Sequence, residues 1–220
     1  MESDTLIPEI ENEISSKILE QVQKDFIGLD TKYKIATGEK TRRVYLDSTA
    51  STLMMGLAQR TGEEFLKHYS NTHSLMHFGA KIATKTYAWV HEKILEFVHA
   101  DSEHYTCFFT GSGTTGGMNR IARAFNHLQP KKDVVLVSIM EHHSNDLPHR
   151  KHGGHVIHIP VDTHESKMGC VDLDLLEHFL REYEGRVNYV SVTGISNVTG
   201  IINPINEVAK LAHHYGAYIV

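Results

Sequence analysis

The stretch that decides the fold is FFTGSGTTGGMNRIARAF, residues 108–125. Two phenylalanines lead into a glycine-rich turn, and the residues after the turn have the pattern of a helix. The stretch therefore predicts a strand end, a loop and the first turns of a helix. Because backbone N–H groups at the beginning of a helix attract anions, such a loop predicts a phosphate site.

The glycines of this loop also fit a dinucleotide-binding pattern. Gly111, Gly113 and Gly116 match G-x-G-x-x-G. Glu141 lies at the end of the next predicted strand, where a ribose-binding acid would sit. Against this interpretation, a dinucleotide loop usually follows the first strand of its domain, and here about a hundred residues come earlier. A nicotinamide-dependent oxidoreductase stays as an alternative.

The hydroxyl groups of the loop favour a single phosphate. Ser112, Thr114 and Thr115 would surround a dianion together with the helix N–H groups. Two adjacent threonines suit a monophosphate better than a pyrophosphate, which prefers bare glycine. A glycine-rich turn without any ligand is the third interpretation.

From residue 105 onward, predicted strands alternate with predicted helices. The strands are expected at 105–110, 133–140, 155–161, 186–194 and 217–220. Helices are expected after the glycine loop, from near Asp172, and from Pro204 with Asn203 as its N-cap, while 141–154 reads as a polar segment. This alternation predicts an α/β domain with a mainly parallel sheet and helices on both faces.

The front of the chain has a different pattern. Apolar residues recur every four positions and predict an amphipathic helix; they are Ile10, Ile14, Ile18, Val22 and Phe26. We interpret residues 1–40 as a helical arm and residues 41–220 as the α/β domain, with a strand at 43–51 and a long helix at 80–100. Because the chain ends inside a predicted strand, we expect a domain that is incomplete at its C-terminus, the front part of a longer protein.

Composition excludes several classes of protein. The formal net charge of -5 gives no support to a broad nucleic-acid surface. No run is long and apolar enough to span a bilayer, and the acidic start is not a secretory signal. Cys107 and Cys170 have neither disulfide nor zinc spacing, which suits a cytoplasmic protein.

Ligands of open parallel sheets bind at the carboxyl ends of the strands, where three polar loops are predicted to meet. These are 111–117, 141–145 and 196–200. In the second loop, one imidazole would stack on a flat ring or shuttle a proton. In the third, the Asn197 amide would orient a phenolate oxygen or a carboxylate. On its own, this last loop is also typical of an Asx turn.

The chain has 17 histidines, and several of them are close together. A metal site is the rival interpretation for His142, His149, His152, His155 and His158. His155 and His158 have an odd separation within a predicted strand, so they would face opposite sides. Since no cysteine joins them, we predict no metal, and most of the remaining histidines are expected at the surface.

Five motifs together resemble the class V aminotransferase-fold enzymes, and most closely the cysteine desulfurase and selenocysteine lyase branch. The motifs are VYLDSTAS (44–51), NTHS (71–74), TGSGTTGGMN (110–119), SIMEHHSN (138–145) and VSVTGISNVTGIINPINEVAKLAHHYGAYIV (190–220). The resemblance runs from about residue 43 to Val220. It implies the large domain of the fold type I transferases that depend on pyridoxal 5'-phosphate (PLP).

The resemblance also implies roles for individual residues. The cofactor would contact Gly113, Thr114, Thr115, His142 and Asn197. His142 would stack on the pyridine ring and help to move protons, which makes it the catalytic residue of this segment. Asn197 would contact the ring hydroxyl side and the substrate carboxylate, and Ala50 would also lie against the substrate.

Partners and departures follow from the same resemblance. It implies a small amino-acid substrate, a homodimer and, as a further partner, a sulfur-acceptor protein. Gly116 stands where the family usually has a glutamate. The Schiff-base lysine, the aspartate that pairs with the pyridine nitrogen and any catalytic cysteine are expected beyond Val220. We therefore expect the 220 residues alone to be inactive and leave the exact substrate open, with a non-catalytic scaffold relative as a further alternative.

Overall fold

The computed structural model describes residues 16–164 and 167–220. The chain divides into two compact units, of which the first ends at Phe108 and the second begins at Phe109. The sequence-based division into an arm over 1–40 and a domain over 41–220 stays a prediction. Ile10 and Ile14, the first two residues of the predicted amphipathic helix, lie outside the described residues.

Within residues 16–108, the structure describes three helices and a short hairpin. These elements are α1 (Ser16–Asp25), β1 (Lys32–Lys34), β2 (Lys40–Arg42), α2 (Gly56–Leu66) and α3 (Phe78–Phe97). The strands β1 and β2 pair antiparallel. The predicted helix over 80–100 corresponds to α3. It begins two residues earlier because the His77 Nδ1 atom accepts a hydrogen bond of 3.3 Å from the Ala80 N–H.

The predicted strand at 43–51 does not form, because β2 has already ended at Arg42. A turn closes instead, in which the N–H groups of Ala50 and Ser51 donate to the Asp47 carbonyl. The polar residues that follow the short apolar run favour such a turn over a strand.

The second unit is an α/β layer structure. Its elements are α4 (Gly113–Leu128), β3 (Val134–Ser138), α5 (His143–His152), β4 (His155–Ile159), α6 (Leu173–Glu182), β5 (Val187–Ser191), α7 (Ile205–His214) and β6 (Tyr218–Ile219). The strand order is β4-β3-β5-β6, and every pairing is parallel. The predicted α/β fold with a parallel sheet is confirmed.

Helices cover both faces of this sheet. On one face, Val134 and Leu136 of β3 pack in a buried cluster with Leu176 of α6 and Val208 of α7. On the other face, Val135 and Val137 pack with Tyr189 of β5 and with Phe125 of α4. Because adjacent strand residues point to opposite faces, one apolar strand serves both clusters.

Two local predictions differ from the structure. Residues 105–110 form no strand, because none of the strands described here offers them hydrogen-bond partners. The segment 141–154, expected as a polar loop, contains the helix α5. The sequence pattern did not predict this helix, because its buried face is made of Asp146, Pro148 and His149 rather than aliphatic residues.

Within the described residues, no helix combines the length and the apolar character that crossing a membrane would require.

Candidate functional site

The glycine loop presents the N-terminus of α4 without a side-chain cap. Ser112 and Gly113 have φ angles of 65° and 60°, a left-handed conformation that only glycine adopts without strain. The Ser112 side chain makes no capping hydrogen bond. Thr114 and Thr115 follow in the first helical turn, and both are exposed. The first N–H groups of α4 and two hydroxyl groups are therefore available to an anion.

Close approach of the backbone explains Gly116. A Cβ atom at this position would lie 2.4 Å from the carbonyl oxygen of Gly111, a distance that real Cβ atoms do not show. At Gly117, by contrast, a Cβ atom would meet only the Thr110 Oγ1 atom at 3.9 Å. The loop folds back so tightly on the first turn of α4 that a glutamate at 116 would not fit this conformation.

His142 is the N-cap of α5 and presents an exposed ring. Its Nδ1 atom accepts a hydrogen bond of 3.1 Å from the Ser144 N–H. Since Nδ1 acts as an acceptor, the neutral ring carries its proton on Nε2. The cap thus fixes both the direction of the ring and the position of its proton.

Thr115 and His142 line the same pocket, with a volume of about 290 Å³. Asn119 of α4 and Lys151 of α5 lie in its wall as well. A second pocket of about 460 Å³ shares Thr115 and Asn119 and extends along α4 to Arg123. The structure therefore brings the phosphate and ring candidates together, and each of the two pockets has a basic side chain in its wall.

Asn197 is exposed on the loop between β5 and α7. The turn there is closed by Ser196, whose Oγ atom accepts hydrogen bonds from the N–H groups of Val198 and Thr199 at 3.3 and 3.2 Å. Asn197 is thus not the residue that closes the turn. Its amide makes no hydrogen bond within the part of the chain that the structure describes, so it is available to a ligand. Asn197 does not line the pocket of Thr115 and His142, and the exposed Ala50 belongs to the first unit.

Beneath the loops lies a polar network that the sequence analysis missed. Glu141 Oε1 accepts hydrogen bonds from Ser138 Oγ at 2.5 Å and from the Thr193 N–H at 2.6 Å. Glu141 Oε2 accepts a hydrogen bond of 2.6 Å from Asn145 Nδ2. Both carboxylate oxygens are occupied, so Glu141 is not a free acceptor for a ribose.

The network continues to a buried histidine. Asn145 Oδ1 lies 3.0 Å from His149 Nε2 and accepts a hydrogen bond of 3.0 Å from Ser191 Oγ. His149 Nδ1 lies 2.8 Å from the hydroxyl of Tyr189. Burial lowers the pKa of His149 to about 4, against an opposing effect of the Asp146 carboxylate, and burial raises the pKa of Tyr189. Both groups are therefore neutral near pH 7. Because the Asn145 NH₂ group donates to Glu141, its oxygen accepts from His149 Nε2–H, and Nδ1 accepts from the Tyr189 hydroxyl.

His149 is 0% exposed, a buried position that the sequence analysis did not predict, since it considered this residue only as a metal candidate. The spacing held the information: Glu141, Asn145 and His149 recur every four residues, which places them on one face of a helix. Ser191 and Tyr189 are two residues apart on one strand and point to the same face. The helical spacing of these polar residues therefore indicated a shared face, as the spacing of apolar residues does.

The histidines near this site form no metal cluster. His158 Nε2 lies 2.8 Å from the Asp146 carboxylate, while His155 is exposed. Across residues 16–164 and 167–220, no group of three histidine, cysteine, aspartate or glutamate side chains is arranged to hold a metal ion.

Comparison with known proteins supplies the family. Residues 44–220 match the family model described as Aminotransferase class-V. The chain belongs to this family. It is 30% identical over 183 residues to a probable cysteine desulfurase of Halalkalibacterium halodurans, covering 80% of this chain and 43% of that protein. It is likewise 30% identical over 183 residues to a cysteine desulfurase of Synechococcus elongatus, covering 80% of this chain and 28% of the relative.

Solved structures agree with the sequence comparison. The apo structure of a cysteine desulfurase from Thermococcus onnurineus NA1 superposes with a TM-score of 0.71 at 27% identity, covering 91% of this chain and 46% of that one. The cysteine desulfurase CsdA from Escherichia coli gives a TM-score of 0.61 at 26% identity, covering 80% of this chain and 43% of that one. These findings confirm the predicted family and fold. The chain spans less than half of the length of these relatives.

Proposed function

We propose that the chain carries the cofactor-binding loops of a PLP-dependent enzyme that acts on a small amino acid in the manner of a cysteine desulfurase. One observation carries the proposal: Thr115 at the uncapped N-terminus of α4 and the capped ring of His142 line one pocket. Membership of the class V family supports the same conclusion.

The residues present fit the cofactor. The N–H groups of Gly113, Thr114 and Thr115 and the two threonine hydroxyls would hold its phosphate, because these groups are exposed and uncapped. The close approach at Gly116 keeps side-chain atoms out of the loop. When bound, PLP supplies an electron sink that stabilises negative charge on the α-carbon of an amino acid.

His142 would lie against the flat ring of the cofactor. Its Nδ1 atom stays tied to the Ser144 N–H, so Nε2 is the atom that holds or transfers a proton. The free amide of Asn197 would donate to the ring hydroxyl side or to the substrate carboxylate, and Ala50 would lie against the substrate.

We also propose, from family membership alone, a homodimer in the cytoplasm that passes sulfur to an acceptor protein. The domain division at residue 41 belongs to the same proposal. A nicotinamide enzyme is disfavoured, because the Glu141 carboxylate that would bind a ribose already accepts three hydrogen bonds.

Equilibrium dialysis tests the proposal with 4-deoxypyridoxine 5'-phosphate, an analogue that lacks the aldehyde and cannot form imines with surface lysines. We expect saturable binding by the 220-residue chain and none of NAD⁺. Thr115→Val should weaken binding about tenfold, the loss of one charge-assisted hydrogen bond. Thr41→Val, a change at an exposed threonine of β2, serves as the control and should bind normally. Binding of NAD⁺ in place of the analogue would refute the proposal.

A further inference from the structure

We propose that Glu141, Asn145 and the buried His149 are positioning residues that hold the two substrate-side loops of the cofactor site in register. The inference rests on the proposed function of His142 and Asn197. These three side chains would support the site without contacting the cofactor or the substrate.

Glu141 connects the two loops directly. It immediately precedes His142, and its Oε2 atom accepts from Asn145 in the first turn of α5. Its Oε1 atom accepts from the N–H of Thr193, which lies just after β5 on the loop that leads to Asn197. A single carboxylate therefore fixes the distance between the start of α5 and the end of β5.

The orientation of the Asn145 amide decides whether this connection forms. An amide has a donor end and an acceptor end, and only the donor end satisfies a carboxylate. The Asn145 oxygen faces Ser191 Oγ and His149 Nε2, both at 3.0 Å. Because the Glu141 carboxylate can only accept, the NH₂ end of Asn145 is directed toward it, and the oxygen accepts from these two neighbours.

His149 completes the network. The Asn145 oxygen can only accept, so His149 presents Nε2–H to it, and Nδ1 is left to accept from the Tyr189 hydroxyl. Ser191 Oγ, which donates to the same oxygen, lies 3.2 Å from Nε2. The Glu141 carboxylate therefore sets the orientation of the Asn145 amide, and the amide sets the tautomer of His149. Buried networks in which every member is satisfied specify one arrangement of the backbone around them.

Exchange of the amide and the carboxylate tests the inference. Asn145→Asp alone places two carboxylates against each other, and Glu141→Gln alone places two amide groups against each other or turns an NH₂ group toward Thr193. The double variant restores the pairing between positions 141 and 145, since the new amide at 141 would then donate to the new carboxylate at 145. A general structural requirement for either residue type would not be relieved by the exchange.

Two readouts are measured on the 220-residue chain. The first is the dissociation constant of 4-deoxypyridoxine 5'-phosphate. We expect each single variant to bind about tenfold more weakly, because a buried polar group loses its partner. The double variant should return to within about threefold of the parent chain.

The second readout is the ¹⁵N chemical shift of the His142 ring, which reports whether Nδ1 is an acceptor. The parent chain and the double variant should show an acceptor Nδ1, whereas the single variants should show a mixture of tautomers. Leu176→Ala, a change in the core on the opposite face of the sheet, lowers stability and should leave both readouts unchanged.

The outcomes separate the two proposals. Single variants with parental His142 spectra, or a double variant no better than the singles, would overturn the positioning role. If the parent chain fails to bind the analogue while the His142 spectra follow the expected pattern, the positioning role stands and the proposed cofactor is wrong.

Discussion

Two histidines at opposite ends of the same helix mark two contrasting regions of the second unit. His142, at the start of α5, is exposed and belongs with the open glycine loop, where hydroxyl and N–H groups have no capping side chain. His149, less than two turns further on, is buried and fully hydrogen-bonded between Tyr189 and Asn145. One region offers its polar groups to a ligand, and the other uses them to fix the backbone.

The difference shows how one sheet edge serves both binding and rigidity. The exposed groups of the loop hydrogen-bond to water in the folded chain, so they contribute little to stability and remain accessible to a ligand. The buried network beneath them has no access to water, so the loss of one member leaves its partner unpaired at a cost in stability. Substitutions in the two regions should therefore separate ligand affinity from folding stability.

The largest expected effect comes from replacing the two histidines in turn. His149→Ala should lower the free energy of unfolding by about 3 kcal/mol, since it leaves a cavity and two unpaired polar groups. His142→Asn keeps an N-cap and should change stability by less than about 0.5 kcal/mol, yet it removes the ring from the proposed cofactor site. Urea unfolding and analogue dialysis of both variants measure the contrast. Equal loss of stability in the two variants would contradict the distinction between an open binding region and a buried stabilising region.

The second effect is the pH dependence of stability. The pKa of His149 is about 4 in the folded chain against 6.5 for the free side chain, so the unfolded state binds more protons between these values. Stability should be complete above pH 6.5 and should fall as the pH decreases. The contribution of His149 amounts to a loss of about 2 kcal/mol from pH 7 to pH 5. In a His149→Gln variant, the change of unfolding free energy over this pH range should be smaller by this amount; an unchanged pH dependence would argue against a buried neutral imidazole.

Neighbouring glycines give the third comparison. Gly116→Ala would push a methyl group against the Gly111 carbonyl and should weaken analogue binding about tenfold, because the loop must open. Gly117→Ala has room for its methyl group, and it should bind normally and gain about 0.5–1 kcal/mol of stability from its helix preference. Isothermal titration and thermal unfolding of the pair check this prediction. Tight binding by the Gly116 variant would show that the loop conformation is not required.

The smallest effect is expected at Ser112. Its φ angle of 65° is strained for serine and free for glycine, so Ser112→Gly should stabilise the chain by about 0.5–1 kcal/mol. The stability of a matched Ser144→Gly variant should decrease, because Ser144 has no left-handed backbone and lies in the first turn of α5. Thermal unfolding distinguishes them; a destabilised Ser112 variant would indicate that the left-handed turn is not populated.

The sequence predicted the fold correctly where a short local pattern indicates a strand, a loop or a helix. The apolar runs of β3 and β5 and the glycine loop before α4 predicted a parallel sheet with helices on both faces, and the structure confirms it. Helix α7 begins at Ile205 with Pro204 as the N-cap, one residue later than expected. Asn203 was assigned as that cap, but its amide instead bonds the Val171 N–H and the Thr193 carbonyl. Such a contact between distant segments cannot be read from local patterns.

The candidate site shows the same limit. Thr115 and His142 were chosen from motifs, and their common pocket depends on how α4 and α5 pack. Glu141 was interpreted as a free ribose ligand, because the sequence does not reveal that Thr193 and Asn145 donate to it. Candidate binding residues can be recognised in the sequence by their residue type. The residues that support them can be recognised only from the hydrogen bonds that they make in the structure.

The central claim is tested most directly by amide NMR of the isotope-labelled chain during titration with 4-deoxypyridoxine 5'-phosphate. The account predicts saturable shifts of the Gly113, Thr114 and Thr115 amides together with the His142 ring, and no comparable shifts with NAD⁺. Shifts confined to other parts of the chain, or a glycine loop that responds only to NAD⁺, would contradict it.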